Sequence, residues 1–151
     1  MKFISMLVLL LTAILNIGLA QAAGNYINKQ SPYSVPVTLD RLQAALESKG
    51  ITIFTRVDHG AGAKRVNTPL QESQLLIFGN PKLGSPLMKS APMMGLDLPM
   101  KALAWKDSNG QVWLSYLKPS VLQSRHHLKQ AGIIKKMTGA LNAMTNKAIA
   151  K

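Results

Sequence analysis

Residues 75–81 read Leu-Leu-Ile-Phe-Gly-Asn-Pro, an apolar run from Leu75 to Phe78 that halts at three breakers in a row. A short apolar run bounded in this way is the mark of a buried strand. Pro81 cannot donate to a ladder, and its ring pushes Asn80 toward an extended or turn conformation. Ser85-Pro86 then predicts a helix over Ser85–Ser90, with a hydroxyl at the cap and a proline where no donor is needed. The unit is strand, tight loop, helix, with polar groups gathered at the strand's C-terminal edge. A strand buried there needs a covering layer, so the chain is expected to be built in layers.

The flanking segments supply that layer. Tyr33–Val37 alternates as a short strand, confined by Pro36 to an edge. Thr38 can cap a helix over Thr38–Lys49, in which Leu39, Leu42, Ala45 and Leu46 make one apolar stripe and Gly50 stops the chain. Ile51–Val57 is β-branched and alternating, which predicts a strand with one buried face, and Asp58-His59-Gly60 ends it. Ala61–Val66 has room for one helical turn, and Ala91–Gly95 reads as an apolar loop. Leu98–Lys106 and Gln111–Lys118 flank Asp107-Ser108-Asn109-Gly110, a strong hairpin signal. Pro119-Ser120 opens a further helix to about Lys129. Beyond Gly132, Ile133, Ile134, Met137, Ala140, Leu141, Met144 and Ala148 share one side of a basic amphipathic helix. The expected architecture is an α+β two-layer sandwich: a small, mostly antiparallel sheet with helices on one face, plus the C-terminal helix.

The N-terminus reads as a leader. Lys2 is a minimal basic region, Phe3–Leu19 is mostly apolar, and Ala20-Gln21-Ala22 offers a small-x-small cleavage site. Residues 1–22 are therefore expected to be a signal peptide, 23–30 a mobile lead-in, 31–130 the domain and 131–151 a separate basic helix. Export to the periplasm or beyond follows. The chain holds no cysteine, so no disulfide frame supports it in that oxidising destination. Formal net charge is +12, and residues 108–151 carry seven Lys or Arg and no acid. Such asymmetry favours anionic surfaces, and Lys135, Lys136, Lys147 and Lys151 are the membrane-contact candidates. A high net charge alone is no argument for a specific nucleic acid.

Several pieces occur together in one order: Asp58-His59 followed by Ala61 and Ala63, then Leu75–Pro81, then Leu96-Asp97-Leu98-Pro99. The Trp105-Lys106-Asp107…Gly110 hairpin, Tyr116 and Pro119 complete the series. In that order and at those spacings the chain resembles the bacterial domain-of-unknown-function family 302, over roughly residues 31–128. The resemblance implies a small α/β sandwich that pairs into homodimers. It implies no activity, substrate or cofactor.

The residues themselves suggest limited chemistry. His59 beside Asp58 is the candidate general base, although neighbours on a strand point to opposite faces, which keeps Asp58 from simply orienting the imidazole. No serine stands in a nucleophile-elbow spacing. His126 and His127 sit about 100° apart around a helix and make a poor chelate, so neither a metal nor another cofactor is expected. The ligand-binding candidates are Phe78, Gly79, Asn80 and Lys82, with Ser85 and the amides of its helix offered to an anion, and Asp97. Asp97 is expected to cap or to pair with Lys101. Met88, Met93, Met94 and Met100 can line an adaptable apolar pocket or pack a core. The reading is a non-enzymatic binding or interaction module, with a small-ligand crevice between Phe78–Lys82 and the Asp58–Gly60 turn. An enzyme using His59, or an envelope protein with a lipid-contacting tail, are the alternatives.

Overall fold

The computed structural model describes residues 24–151. The expected leader, residues 1–22, lies outside the described residues. In chain order the elements are β1 (Tyr26–Ser31), α1 (Val35–Glu47), β2 (Thr52–Asp58), α2 (His59–Arg65) and β3 (Ser73–Gly79). They continue with α3 (Pro81–Ser90), a 3-10 turn (Pro92–Leu96), β4 (Met100–Lys106), β5 (Val112–Leu117), α4 (Pro119–Arg125) and α5 (Ala131–Ile149). The sheet order is β1-β5-β4-β3-β2, antiparallel at every step, so the expected α+β sandwich is what the chain forms.

The alternation of β3, β4 and β5 sorts the sheet into two faces. Leu76, Phe78, Ala102, Ala104, Leu114 and Tyr116 point inward and are buried. Against them lies α1, whose Leu39, Leu42 and Leu46 are each 0% exposed. Burying a side chain of this size stabilises the fold by about 1.5–3 kcal/mol. Among the described residues no helix covers the other sheet face, and Leu75, Ile77, Leu103, Trp105, Trp113 and Leu117 stay half-buried on it.

The termini of several elements differ from the sequence reading. Residues 26–31 are not a mobile lead-in but an edge strand pairing with β5. Their polarity suits an edge, where only one row of side chains meets the core. Tyr33–Val37 is not a strand. Ser34, not Thr38, is the cap of α1, accepting from the Val37 amide, and Pro36 falls in the first turn. Thr38 is instead buried, donating to the Ser34 carbonyl at 2.8 Å and sharing a 2.6 Å hydrogen bond with Ser31. Asn80 likewise displaces Ser85: its Oδ1 accepts from the Lys82 amide, and α3 starts at Pro81 with Pro86 inside it. β2 has no fully buried residue, because it forms the far edge and its register with β3 shifts between Ile53 and Thr55. Gly50, at φ +67°, does end α1 in the left-handed turn.

The C-terminal helix is a full member of the domain, not a separate tail. Its stripe of Ile134, Met137, Leu141, Met144 and Ala148 is buried. Polar anchors fix its C-terminal half. Lys29 on β1 donates to the Asn142 and Asn146 side-chain oxygens at 2.8 and 2.6 Å and to the Thr145 hydroxyl at 2.8 Å. Burial pushes this ammonium below the ordinary lysine range. At the helix C-terminus Arg41 of α1 donates to the carbonyls of Ala148 (2.7 Å), Lys147 (3.3 Å) and Ala150 (2.7 Å), and the Tyr33 hydroxyl adds a bond to Ala150. A cation there also meets the negative end of the helix dipole. Arg41→Ala should therefore cost about 1.5–3 kcal/mol, read as a lower urea midpoint. Hydrogen exchange should speed up in α5 well before it does in β3 and β4.

Candidate ligand cavity

The C-terminal end of β3 does open into a hollow. A cavity of about 370 Å³ lies between the β3 end, α3, the Leu98–Met100 segment and α5. Phe78, Gly79 and Asn80 line one wall, Leu83 and Met88 of α3 another, and Met137, Ala140, Leu141 and Met144 of α5 form the roof. Met100 completes the floor. Four thioethers thus surround one space, and such side chains fill irregular gaps and re-pack readily. The volume falls in the range of small-molecule sites. No charged side chain lines it.

The local reason for this shape is the corner at Asn80-Pro81. Gly79 carries no side chain where a Cβ would stand 3.2 Å from the Phe54 ring and 3.5 Å from Pro99, so strand end, ring and proline close up together. Asn80 then accepts from the Lys82 amide at 3.0 Å through its side chain and from the Leu83 and Gly84 amides, both at 2.9 Å, through its carbonyl. The first-turn donors of α3 are therefore occupied, which leaves no anion cradle there, and Ser85 sits inside the helix rather than at its start. Lys82 is exposed and does not line the cavity.

The other candidates lie elsewhere. Asp58 faces Gln74 across the ladder, whereas Thr52 faces Gly79. Five residues of extended strand, about 17 Å, separate those two positions. The Asp58–Gly60 turn and Asn80 therefore sit at opposite ends of β3 and do not share a crevice. Asp58 caps α2 by accepting from the Ala61 amide at 2.8 Å and takes a second bond from Gln74 at 3.0 Å, and His59 is exposed. Among the described residues no group of three or more His, Asp or Glu is placed to hold a metal ion. Met94 is buried in the core and Met93 is exposed.

Asp97 does not use its carboxylate on Lys101, whose ammonium goes to the backbone carbonyls of Asp97 and Pro99. The carboxylate instead accepts from His126 Nε2 at 2.6 Å and pairs with Arg125 at 2.5 Å, joining the chain before β4 to the end of α4. This link spans 28 residues and was invisible to local spacing. The roof of the cavity was missed for a similar reason. The stripe of α5 was legible, but nothing in its period says which surface it covers. Phe54, on the mouth, gave no signal because an alternating strand hides a bulge.

Together these features define an α+β sandwich with an apolar pocket, open on one side and roofed by its last helix. The sequence profile of the family "Domain of unknown function DUF302" matches residues 27–144, and the chain belongs to that family. The match begins within β1 and reaches into α5, wider on both sides than the residues that first suggested it. Curated relatives include proteins named fluoride-specific ion channel FluC 1 from Brucella suis and Brucella abortus. Each is 47% identical over 102 residues, covering 68% of this chain but only 40% and 38% of theirs. The chain thus spans about two fifths of the length of those relatives. A crystal structure of an uncharacterised conserved DUF302 protein from Bacillus stearothermophilus superposes with a TM-score of 0.76 at 16% identity, covering 83% of this chain and 99% of that one. That likeness shows the fold.

The hydrogen bond from His126, with Arg125 beside it, holds the Asp97 carboxyl below the usual carboxylate range against the opposing effect of burial. A depressed native value means that the stabilisation is present above the unfolded carboxyl's pKa, near 3.9, and is lost as pH falls through the native one. Asp97→Asn should cost about 1–3 kcal/mol at neutral pH. In denaturation series taken down the pH scale, the gap between variant and wild type should close below the ordinary Asp range.

Proposed function

We propose that this protein is an exported, non-enzymatic binding module that holds a small apolar molecule in the cavity at the β3 end. The observation that carries this reading is a 370 Å³ space lined by side chains of α3, β4 and α5 with no charged group among them. A pocket of that volume with an almost wholly apolar lining is of the kind that takes a small ligand. The exposed position of His59, with the Asp58 carboxylate committed to a helix cap, gives little support to general-base chemistry. Contact of the basic tail with anionic lipid has little to stand on, because the apolar stripe of α5 faces inward and leaves Lys135, Lys136, Lys147 and Lys151 as bare surface charges.

The relatives favour a place at the cell envelope. No helix among the described residues is long and apolar enough to cross a membrane. A domain joined to a protein named as an ion channel works beside a membrane, in keeping with the leader-like first residues.

The helix-free sheet face favours self-association. Leu75, Ile77, Leu103, Trp105, Trp113 and Leu117 lie on it, with Tyr26 at its rim exposed to 58%. Lys101 is the one charged side chain that the pairing register puts among them. Two strongly basic chains repel each other least across such a face, which makes a second copy its natural cover.

Native mass spectrometry of protein isolated from its own envelope should show a mass above that of the bare chain, released on unfolding. An apo mass at every charge state would overturn the binding reading. Leu103→Arg should convert dimer to monomer in sedimentation velocity with the fold intact by circular dichroism. A wild type that sediments as a monomer at all concentrations would refute the pairing.

A further inference from the structure

Phe54 stands where β2 loses its register. Ile53 pairs with Phe78 and Thr55 with Ile77, so Phe54 is the extra residue of a bulge. Bulges re-aim a side chain, and this one turns the ring onto the cavity mouth, where it helps to line the space yet remains 54% exposed. The bare Cα of Gly79 leaves room for the ring to lie against the strand end. A large aromatic half in water and half over an apolar hollow is placed to cover whatever enters.

The mouth also says what kind of end group it can meet. Its polar members are Asn80 and Ser85. The Asn80 oxygen is committed to the Lys82 amide, but among the described residues its amide nitrogen and the Ser85 hydroxyl have no intramolecular partner. They can serve one hydroxyl or carbonyl. A carboxylate or ammonium would be drawn from water with no counter-charge in the lining, which is strongly unfavourable. A 150 Å³ cavity holds benzene, so this one has space for about 15 heavy atoms. The thioethers of Met88, Met100, Met137 and Met144 tolerate a flexible chain better than a rigid outline.

We infer that the cavity takes a neutral medium-chain amphiphile, a fatty alcohol or ester, with its polar end at Asn80 and Ser85, and that Phe54 is the gate that retains it. This rests on the binding-module reading. The test uses the full chain near neutral pH, with the neutral fluorophore N-phenyl-1-naphthylamine as reporter and decanol, decanoate and decylammonium as competitors of equal chain length. Decanol should displace the reporter at about 10 µM, a value ordinary for a ligand of this size, and both charged analogues should need at least about ten times more. Phe54→Ala should speed reporter release about tenfold in stopped flow at an unchanged melting temperature, and Phe54→Trp should restore the slow rate. Ala140→Trp should fill the space and abolish binding, with Met137→Phe as the milder filler should the first variant melt early. Decanoate competing as well as decanol would overturn the neutral class while leaving the module standing. An unchanged release rate in Phe54→Ala would overturn the gate. No reporter binding to the wild type, or undiminished binding in a folded filled variant, would overturn the module itself.

Discussion

The structure hangs on the apolar stripe of α1. This helix follows the edge strand β1 and leads across the sheet to the opposite edge strand β2, so it must cross the inner face from one edge to the other, with α5 packed beside it. Leu39, Leu42 and Leu46 meet that face, and the same helix offers Arg41 to the end of α5. A single Leu→Ala change in the stripe would cost about 2–5 kcal/mol, a large share of the stability of a domain this size. With no disulfide available, packing around α1 is the main source of stability, and both the meander β2–β5 and the last helix depend on it.

The cavity follows from how α5 is attached. Helix and sheet are joined at the far end by a cluster of hydrogen bonds to Lys29, Arg41 and Tyr33. Toward the other end, Met137, Leu141 and Met144 face Phe78 and Met100 across the apolar cavity. Directional bonds fix one half of the helix, so the other half need not collapse fully onto the sheet. Close-packed interiors normally leave no such space. Here the helix is held at a distance by its own anchors, and the flexible thioethers line the gap without filling it.

Much of this was legible in the sequence, and the failures have physical causes. The apolar run at Leu75–Phe78, the stripe of α1, the Asn109-Gly110 hairpin and the resemblance to the family were enough for the sandwich and its antiparallel sheet. Caps were read one candidate too late twice, at Ser34 and at Asn80. In each case the residue preceding a proline-bearing first turn was the better acceptor, and a later hydroxyl looked equally suitable on paper. β1 was missed because an edge strand that turns Ile27, Lys29 and Ser31 inward, with only Ser31 fully buried, lacks the apolar alternation that marks a strand. The joint crevice failed for a topological reason: in an antiparallel pair the end of one strand lies beside the start of the next. The turn after β2 and the corner after β3 had to fall at opposite ends of the two strands.

Charge gives a second view of which surfaces are open to a partner. All six acids are engaged within the fold. Asp40 pairs with Arg56, Glu72 with Lys106, and Asp97 with Arg125 and His126. Asp58 caps α2, Glu47 accepts from Gln43, and Asp107 holds the hairpin loop and the Trp113 indole. Each negative group therefore serves as a fastener, and the surplus of lysine is left on the surface without local neutralisation. Against that background two regions stand out as poorest in unpaired charge: the mouth beneath Phe54, whose lining has no charged side chain, and the helix-free sheet face, where Lys101 stands beside the mutually paired Asp97 and Arg125. A strongly basic molecule repels cations and its own copies everywhere else, so those two regions are where contacts not governed by charge can form. One is the half-buried face of the sheet, hollowed between Leu75, Leu103, Trp105 and Leu117, suited to a surface of its own kind. The other is a small apolar pocket, suited to a molecule small enough to lie behind one aromatic ring.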